Sequence, residues 1–167
     1  MPEARRRHFM REKEKAQLLD DLSKKLKIDI KQLLGDNFNV EISQTLTASI
    51  YFINDRPLLA VWKNVLLPTL LFQEALQLLP RIVVNMGAVP FVCNGADLMA
   101  PGVVRIEKVY KQDDYMVITD ERHGKPLAIA VALTDYDTAH NLKHGKIARN
   151  VHYVGDELWN QLKKLVV

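Results

Sequence analysis

The chain has 167 residues, 48% of them hydrophobic, which allows one large domain or two small ones with real cores. Its 23 Lys and Arg against 20 Asp and Glu give a net charge of +3, which excludes a generally cationic protein that coats nucleic acid without discrimination. No apolar run reaches about 18 residues, so no membrane-spanning helix is expected. The single cysteine, Cys93, cannot form an internal disulfide and fits a cytoplasmic protein.

The positive charge is concentrated near the N-terminus. Residues 1–31 carry ten basic against six acidic side chains, and the remainder of the chain is slightly negative. A nucleic-acid site elsewhere would therefore have to be local and shaped. Arg5, Arg6 and Arg7 form the densest cluster, for which a solvated tail and a nonspecific phosphate contact are both open interpretations.

The first elements are predicted to be helices. Leucines recur every three or four residues within Glu12–Leu26, the period of an amphipathic helix. These leucines are Leu18, Leu19, Leu22 and Leu26. Asp29 is placed to cap a second, shorter helix, Ile30–Leu34, which Gly35 would end.

The hydrophobic period then changes from that of a helix to that of strands. The predicted strands are residues 38–42, Ala48–Ile53 and 57–62. A turn at Asn54-Asp55 joins the last two. Pro68 and Thr69 are expected to open a helix over residues 70–79, with Thr69 as its N-cap. Helices and strands that do not alternate indicate a small α+β unit.

From residue 81 onward the chain reads as short strands separated by turns. The predicted strands are Arg81–Val84 and residues 103–110, 115–119, 126–133 and 147–153. A polar helical turn over residues 134–142 interrupts them. Asp156 should cap a last helix with Leu158, Trp159, Leu162 and Leu165 on one stripe. Strands at this spacing favour a barrel.

The stretch between Ala88 and Val104 is the candidate functional segment. Gly95 is expected to end a short helix, and Pro101-Gly102 fits the centre of a type II turn, with positive φ at the glycine. Between the glycines lie only small or flexible residues, so backbone N–H groups would stay uncovered and could bind phosphate or ribose. A simple helix-to-strand connection with two required glycines is the alternative.

The run Ala88-Val-Pro-Phe-Val-Cys-Asn-Gly-Ala-Asp-Leu-Met-Ala-Pro-Gly-Val resembles the signature of the PUA domain, an RNA-binding pseudobarrel. The whole chain is similar to the family of the malignant T-cell amplified sequence protein, in which a pre-PUA domain precedes the PUA domain. Pro57-Leu58 and Pro68-Thr69-Leu70 carry the resemblance in the first half. It implies an α+β fold with an α+β pre-PUA domain at residues 1–79. A mainly β PUA pseudobarrel with a C-terminal helix would occupy residues 80–167.

The resemblance implies an RNA-binding adaptor of the translation machinery that acts in initiation or ribosome recycling. Its ligand would be tRNA or rRNA, and its partners the small ribosomal subunit and an initiation-factor-like protein. The alternative is an accessory subunit of an RNA-modifying enzyme. No Ser-His-Asp spacing, dinucleotide fingerprint, phosphate loop or paired carboxylates can be identified, so neither an enzyme nor a cofactor is expected.

We expect the RNA-binding residues to line two sides of one groove. The loop contributes Gly95, Ala96, Asp97, Leu98, Met99, Pro101 and Gly102, and the closing strand region contributes Lys143, Lys146 and Arg149. Leu98 and Met99 would pack against bases, which favours a single-stranded end such as a tRNA-like 3′ terminus. Asp97 is expected to accept hydrogen bonds from neighbouring amides. Alternatively, the three cations only solvate the rim of the barrel.

One metal-like pattern occurs outside this segment. Asp137, His140 and His144 stand at i, i+3 and i+7 and would share one face of a continuous helix. His144-Gly145 lies where that helix should end, and no second ligand cluster is evident. We therefore favour an exposed polar face over a metal site.

Overall fold

The computed structural model describes residues 7–166, and the chain divides into two compact units. The first comprises residues up to Gln77 and those from Gln161 onward, and the second is Leu78–Asn160. Within residues 7–166 no helix is both long and apolar enough to cross a membrane. Arg5 and Arg6 lie outside the described residues.

The residues of the first unit up to Gln77 form three helices and an antiparallel five-stranded sheet, whose strands are hydrogen-bonded in the order of the sequence. The helices are α1 (Glu12–Leu26), α2 (Ile30–Leu34) and α3 (Gln73–Leu76). The strands are β1 (His8–Phe9), β2 (Val40–Gln44), β3 (Ala48–Ile53), β4 (Arg56–Trp62) and β5 (Val65–Pro68). All four leucines of the α1 stripe are buried, which confirms the predicted amphipathic helix.

Local signals set the ends of several elements in this unit. Asp29 Oδ1 accepts a hydrogen bond from the Gln32 amide at 3.1 Å, as expected for the cap of α2. Asn54 and Asp55 have φ of 48° and 68°, the left-handed pair that makes a tight hairpin turn. The strand predicted to begin at residue 38 begins at Val40. The Phe38 carbonyl instead accepts from Lys15 Nζ at 2.8 Å.

The predicted helix over residues 70–79 is wrong in its start and its length. Residues Val65–Pro68 form β5, whose hairpin with β4 pairs Leu59 with Pro68 and so holds this segment extended. Thr69 is not the N-cap of the helix, a position that Phe72 occupies; its buried hydroxyl donates to the Pro57 carbonyl at 2.8 Å and accepts from the Leu71 amide at 3.3 Å. The helix α3 begins only at Gln73. Strand pairing has overridden the local helix signal.

The second unit is a mainly β structure with a sheet of order β7-β11-β10-β9-β6-β8. Its strands are β6 (Arg81–Val84), β7 (Leu98–Met99), β8 (Val103–Glu107), β9 (Tyr115–Asp120), β10 (Pro126–Ala132) and β11 (Lys146–Tyr153). Only β6 and β9 pair in parallel. The predicted strand 103–110 ends early, since Lys108 has a φ of 78°.

Two short helices, α4 (Val89–Val92) and α5 (Tyr136–Asn141), belong to the second unit, and α6 (Glu157–Leu165) follows β11. Asp156 caps α6 as predicted, accepting from the Trp159 amide at 2.6 Å. Val92 and Leu98 share a core with Ala128, Ala130 and Ala132 of β10. Small alanine side chains leave space for α4 and the start of β7 to pack against this face of the sheet.

Candidate nucleic-acid interface

Gly95 ends the α4 segment and is required there for two reasons. Its φ is +91°, a conformation that side chains rarely adopt. A Cβ at this position would also lie 3.1 Å from the Tyr153 ring and hydroxyl. The glycine therefore lets the loop pass directly against an aromatic side chain of β11.

Asp97 fastens the loop to β11. Its Oδ2 lies 3.1 Å from Lys146 Nζ, and its Oδ1 accepts a hydrogen bond from the Asn150 backbone amide at 3.1 Å. Asp97 thus accepts a hydrogen bond from a backbone amide as expected, but this amide belongs to the adjacent strand and not to the loop. Both carboxylate oxygens therefore have a partner on β11.

Asn150 completes the attachment and was missed in the sequence. Its Nδ2 donates to the Val92 carbonyl at 3.0 Å and to the Ala96 carbonyl at 3.1 Å. Its Oδ1 is buried without a partner among residues 7–166. The only signal in the sequence is an asparagine inside a predicted strand, where this residue type is uncommon.

Apolar side chains near the loop are divided between the core and the surface. Leu98 is only 2% exposed and lies in the core, so the expectation that it packs against bases is wrong. Met99, its neighbour, is 44% exposed and pairs with Lys146 across the β7–β11 ladder. Phe91 on α4 is 68% exposed, which makes it the aromatic side chain that the sequence analysis overlooked.

The Pro101-Gly102 segment is not the predicted type II turn. Residues Ala100–Gly102 form a single 3-10 turn, and Gly102 has no positive φ. The Asn85 amide donates to the Gly102 carbonyl at 2.9 Å, which holds this geometry. The glycine is needed for close approach, because a Cβ there would lie 3.0 Å from Ala88 Cβ.

Two of the three predicted cations, Lys146 and Arg149, lie on one face of β11. Lys146 is bound to Asp97, and Lys143 is exposed on the loop before β11. A bulge between Lys146 and Ala148 places Ile147 and Ala148 together in the core, so Arg149 lies on the same exposed face of β11 as Lys146. Arg149 also lies near Tyr115. Burial raises the pKa of the Tyr115 hydroxyl, and the positive charge of Arg149 offsets part of that rise.

The other candidate groups have structural surroundings. Helix α5 ends at Asn141 and Leu142 is extended, so His144 does not continue the helical face of His140. No group of three or more metal-ligating side chains occurs within residues 7–166. Cys93 packs beside the core, where burial raises the pKa of its thiol.

Arg7, the one described member of the N-terminal arginine cluster, is held in place. Its Nη1 lies 3.0 Å from Asp55 Oδ1, and its guanidinium carbon lies 3.8 Å above the centre of the Phe52 ring.

Comparison with known proteins identifies the two halves of the chain. Residues 80–154 match the PUA domain, and residues 6–74 match a domain of unknown function, DUF1947. An uncharacterised protein of Methanocaldococcus jannaschii is 32% identical over 95% of this chain and 98% of its own length. The chain belongs to this family of PUA-domain proteins. The PUA domain, an RNA-binding module, contains the whole α4–β7 loop.

Other known proteins are also similar to this PUA-domain protein. Translation machinery-associated protein 20 of Eremothecium gossypii is 29% identical over 66% of this chain and 65% of that protein. A probable tRNA pseudouridine synthase B of Pyrobaculum calidifontis is 29% identical over 76% of this chain but only 42% of the enzyme. A solved PUA domain from Aeropyrum pernix superposes with a TM-score of 0.86 at 23% identity, covering 96% of this chain and 92% of that one. The predicted family and fold are confirmed.

Proposed function

We propose that this PUA-domain protein is an RNA-binding adaptor of the translation machinery that itself catalyses no reaction. It holds a single-stranded end of tRNA or rRNA and acts in the cytoplasm, in initiation or ribosome recycling. The small ribosomal subunit and an initiation-factor-like protein are the proposed partners. Similarity to translation machinery-associated protein 20 supports this role.

The observation that carries the proposal is the pair of exposed apolar side chains beside a loop of fixed backbone. Phe91 and Met99 lie on α4 and β7, either side of the segment that Asn150 and Asp97 hold against β11. Bases stack on aromatic side chains with a gain of about 1–3 kcal/mol each, whatever their sequence. A preorganised loop also avoids the entropic cost of ordering on binding. This combination suits unpaired nucleotides.

Lys146 can contact phosphate even though it is paired with Asp97. The lysine side chain is largely exposed, and exposed ion pairs contribute only about 0–1 kcal/mol. Exchanging Asp97 for a phosphate oxygen therefore costs little. Lys143 lies on the loop before the same strand. Arg149 belongs to the proposed contact surface, because the bulge between Lys146 and Ala148 leaves it exposed on the same face of β11 as Lys146.

Crosslinking in cells followed by sequencing of the bound RNA tests the ligand. The Phe91→Ala variant should lose most crosslinks while its thermal midpoint stays near that of the parent, because the side chain is exposed. Phe9→Ala is the matched control, since Phe9 is 70% exposed in the first unit. Equal loss in both variants, or no loss in either, would contradict the assigned surface.

One observation favours a second candidate function. The similarity to tRNA pseudouridine synthase B extends over 76% of this chain, although it spans less than half of the enzyme. In that case the protein would present RNA to a modification enzyme. Affinity purification from native lysate separates the two functions, because ribosomal subunits and initiation factors support the adaptor and a modification enzyme supports the accessory subunit.

A further inference from the structure

The turn between β9 and β10 is fixed from beneath by Asp120. This carboxylate is buried and accepts hydrogen bonds from three backbone amides of the turn, those of Arg122, His123 and Lys125. Gly124 supplies a φ of +65°, and its amide donates to the Asp120 carbonyl at 3.1 Å. The turn is thus preorganised, and its side chains project from a rigid backbone.

Two of the side chains on this turn, Arg122 and Lys125, are cationic. Arg122, His123 and Lys125 are all exposed, and neither Arg122 nor Lys125 has an ion-pair partner within residues 7–166. Glu121 is the acidic neighbour, but its Oε1 accepts from the Met86 amide at 3.2 Å. We call residues 121–125 the basic turn.

The basic turn is connected to the candidate interface by two consecutive residues. The Met86 amide donates to the Glu121 side chain, and the Glu121 amide donates to the Val84 carbonyl at 2.9 Å. Asn85 is bonded to the 3-10 turn. Its backbone amide donates to the Gly102 carbonyl, and its Nδ2 donates to the Pro101 carbonyl at 3.4 Å. The turn, the entry to α4 and the 3-10 turn therefore form one contiguous part of the second unit.

We propose that the basic turn is a second contact region for the same RNA, which binds its phosphodiester backbone away from the unpaired end. This inference rests on the proposed function. Arg122 and Lys125 offer positive charge on a fixed turn, whereas Phe91 and Met99 offer apolar surface. Charge without an apolar platform binds phosphate and carries no base preference.

The experiment measures the affinity of a stem–loop RNA with an unpaired 3′ tail at several salt concentrations. Each phosphate contact contributes about 0.7–0.9 to the slope of log affinity against log salt. The Arg122→Ala, Lys125→Ala double variant should therefore reduce the slope by between about one and two units. Asp120 is untouched, so the thermal midpoint should stay at the parent value. The charge-matched control replaces Lys25 and Lys31, both exposed in the first unit, by Ala.

Three results would overturn the inference. If the parent binds the RNA in a salt-dependent way and the double variant has the same slope, the basic turn does not contact the RNA, although the proposed function is not contradicted. An equal reduction in the Lys25 and Lys31 control means that the effect is only net charge. If the parent protein does not bind the RNA at any salt concentration, the proposed function fails together with the inference.

Discussion

Gly102 lies so close to Ala88 that a Cβ on the glycine would be 3.0 Å from the alanine Cβ. The backbone of Gly102 has no positive φ, so an alanine there meets a steric clash and no conformational strain. We expect Gly102→Ala to lower the free energy of unfolding by about 1–3 kcal/mol, the usual cost of overpacking. Urea unfolding measures the loss.

Gly87→Ala is the control for that substitution. A Cβ at Gly87 would lie 3.4 Å from Asn85 Oδ1, which is an ordinary contact, and its φ is not positive. The expected change is within ~0.5 kcal/mol. Equal losses in the two variants would show that close approach to Ala88 is not the constraint at Gly102.

The two bonds of Asp97 should contribute unequally to stability. Lys146→Ala removes an exposed ion pair and should cost about 0–1 kcal/mol. Asp97→Ala also leaves the part-buried Asn150 amide without its acceptor, which should cost about 1–3 kcal/mol. Unfolding of both variants at one salt concentration compares them, and a larger loss from Lys146→Ala would refute this ranking.

Asp120 should make stability depend on acid pH. Burial alone would raise the pKa of its carboxyl, but the backbone amides that bind it outweigh burial and hold the pKa below its ordinary value. A lowered pKa in the folded protein contributes stability above the unfolded pKa of about 3.9, and this contribution is lost as the pH falls through the lower, folded value.

The Asp120→Asn variant tests this pH dependence. The stability difference from the parent should be largest near neutral pH and should shrink as the pH falls below about 4. Urea unfolding across that range measures the difference. Asp36→Asn, an exposed site in the first unit, is the control. A difference for Asp120→Asn that does not change with pH would contradict an ionised carboxylate under the turn.

Thr69 should stabilise the first unit through its hydroxyl group. The side chain is fully buried and donates to the Pro57 carbonyl at 2.8 Å. Thr69→Val keeps the shape but removes both the donor to Pro57 and the acceptor of the Leu71 amide, which should cost about 1–3 kcal/mol. Thr69→Ser keeps both hydrogen bonds of the hydroxyl and should cost less. If serine proved as destabilising as valine, packing of the lost methyl group would be the main contribution.

The sequence by itself determined the elements whose signals are local. The leucine period of α1, the Asp29 cap and the Asn54-Asp55 turn depend on residues within one or two turns of chain, and all three are present. The PUA signature from Ala88 onward identified the family for the same reason, since a contiguous run of residues carries it. Its Gly95 has the left-handed backbone that was expected.

The tertiary structure decided which side chains form the candidate site. Leu98 is buried and Met99 exposed because β7 pairs with β11 in one register, and a shift by one residue would exchange them. Arg149 lies on the same face of β11 as Lys146 although their spacing is odd, because a bulge between Lys146 and Ala148 places Ile147 and Ala148 together in the core. Asn150 joins this strand to the loop by hydrogen bonds to residues more than fifty positions away in the sequence. Strand register and contacts between distant segments are set by packing of the whole domain, and no local pattern encodes them.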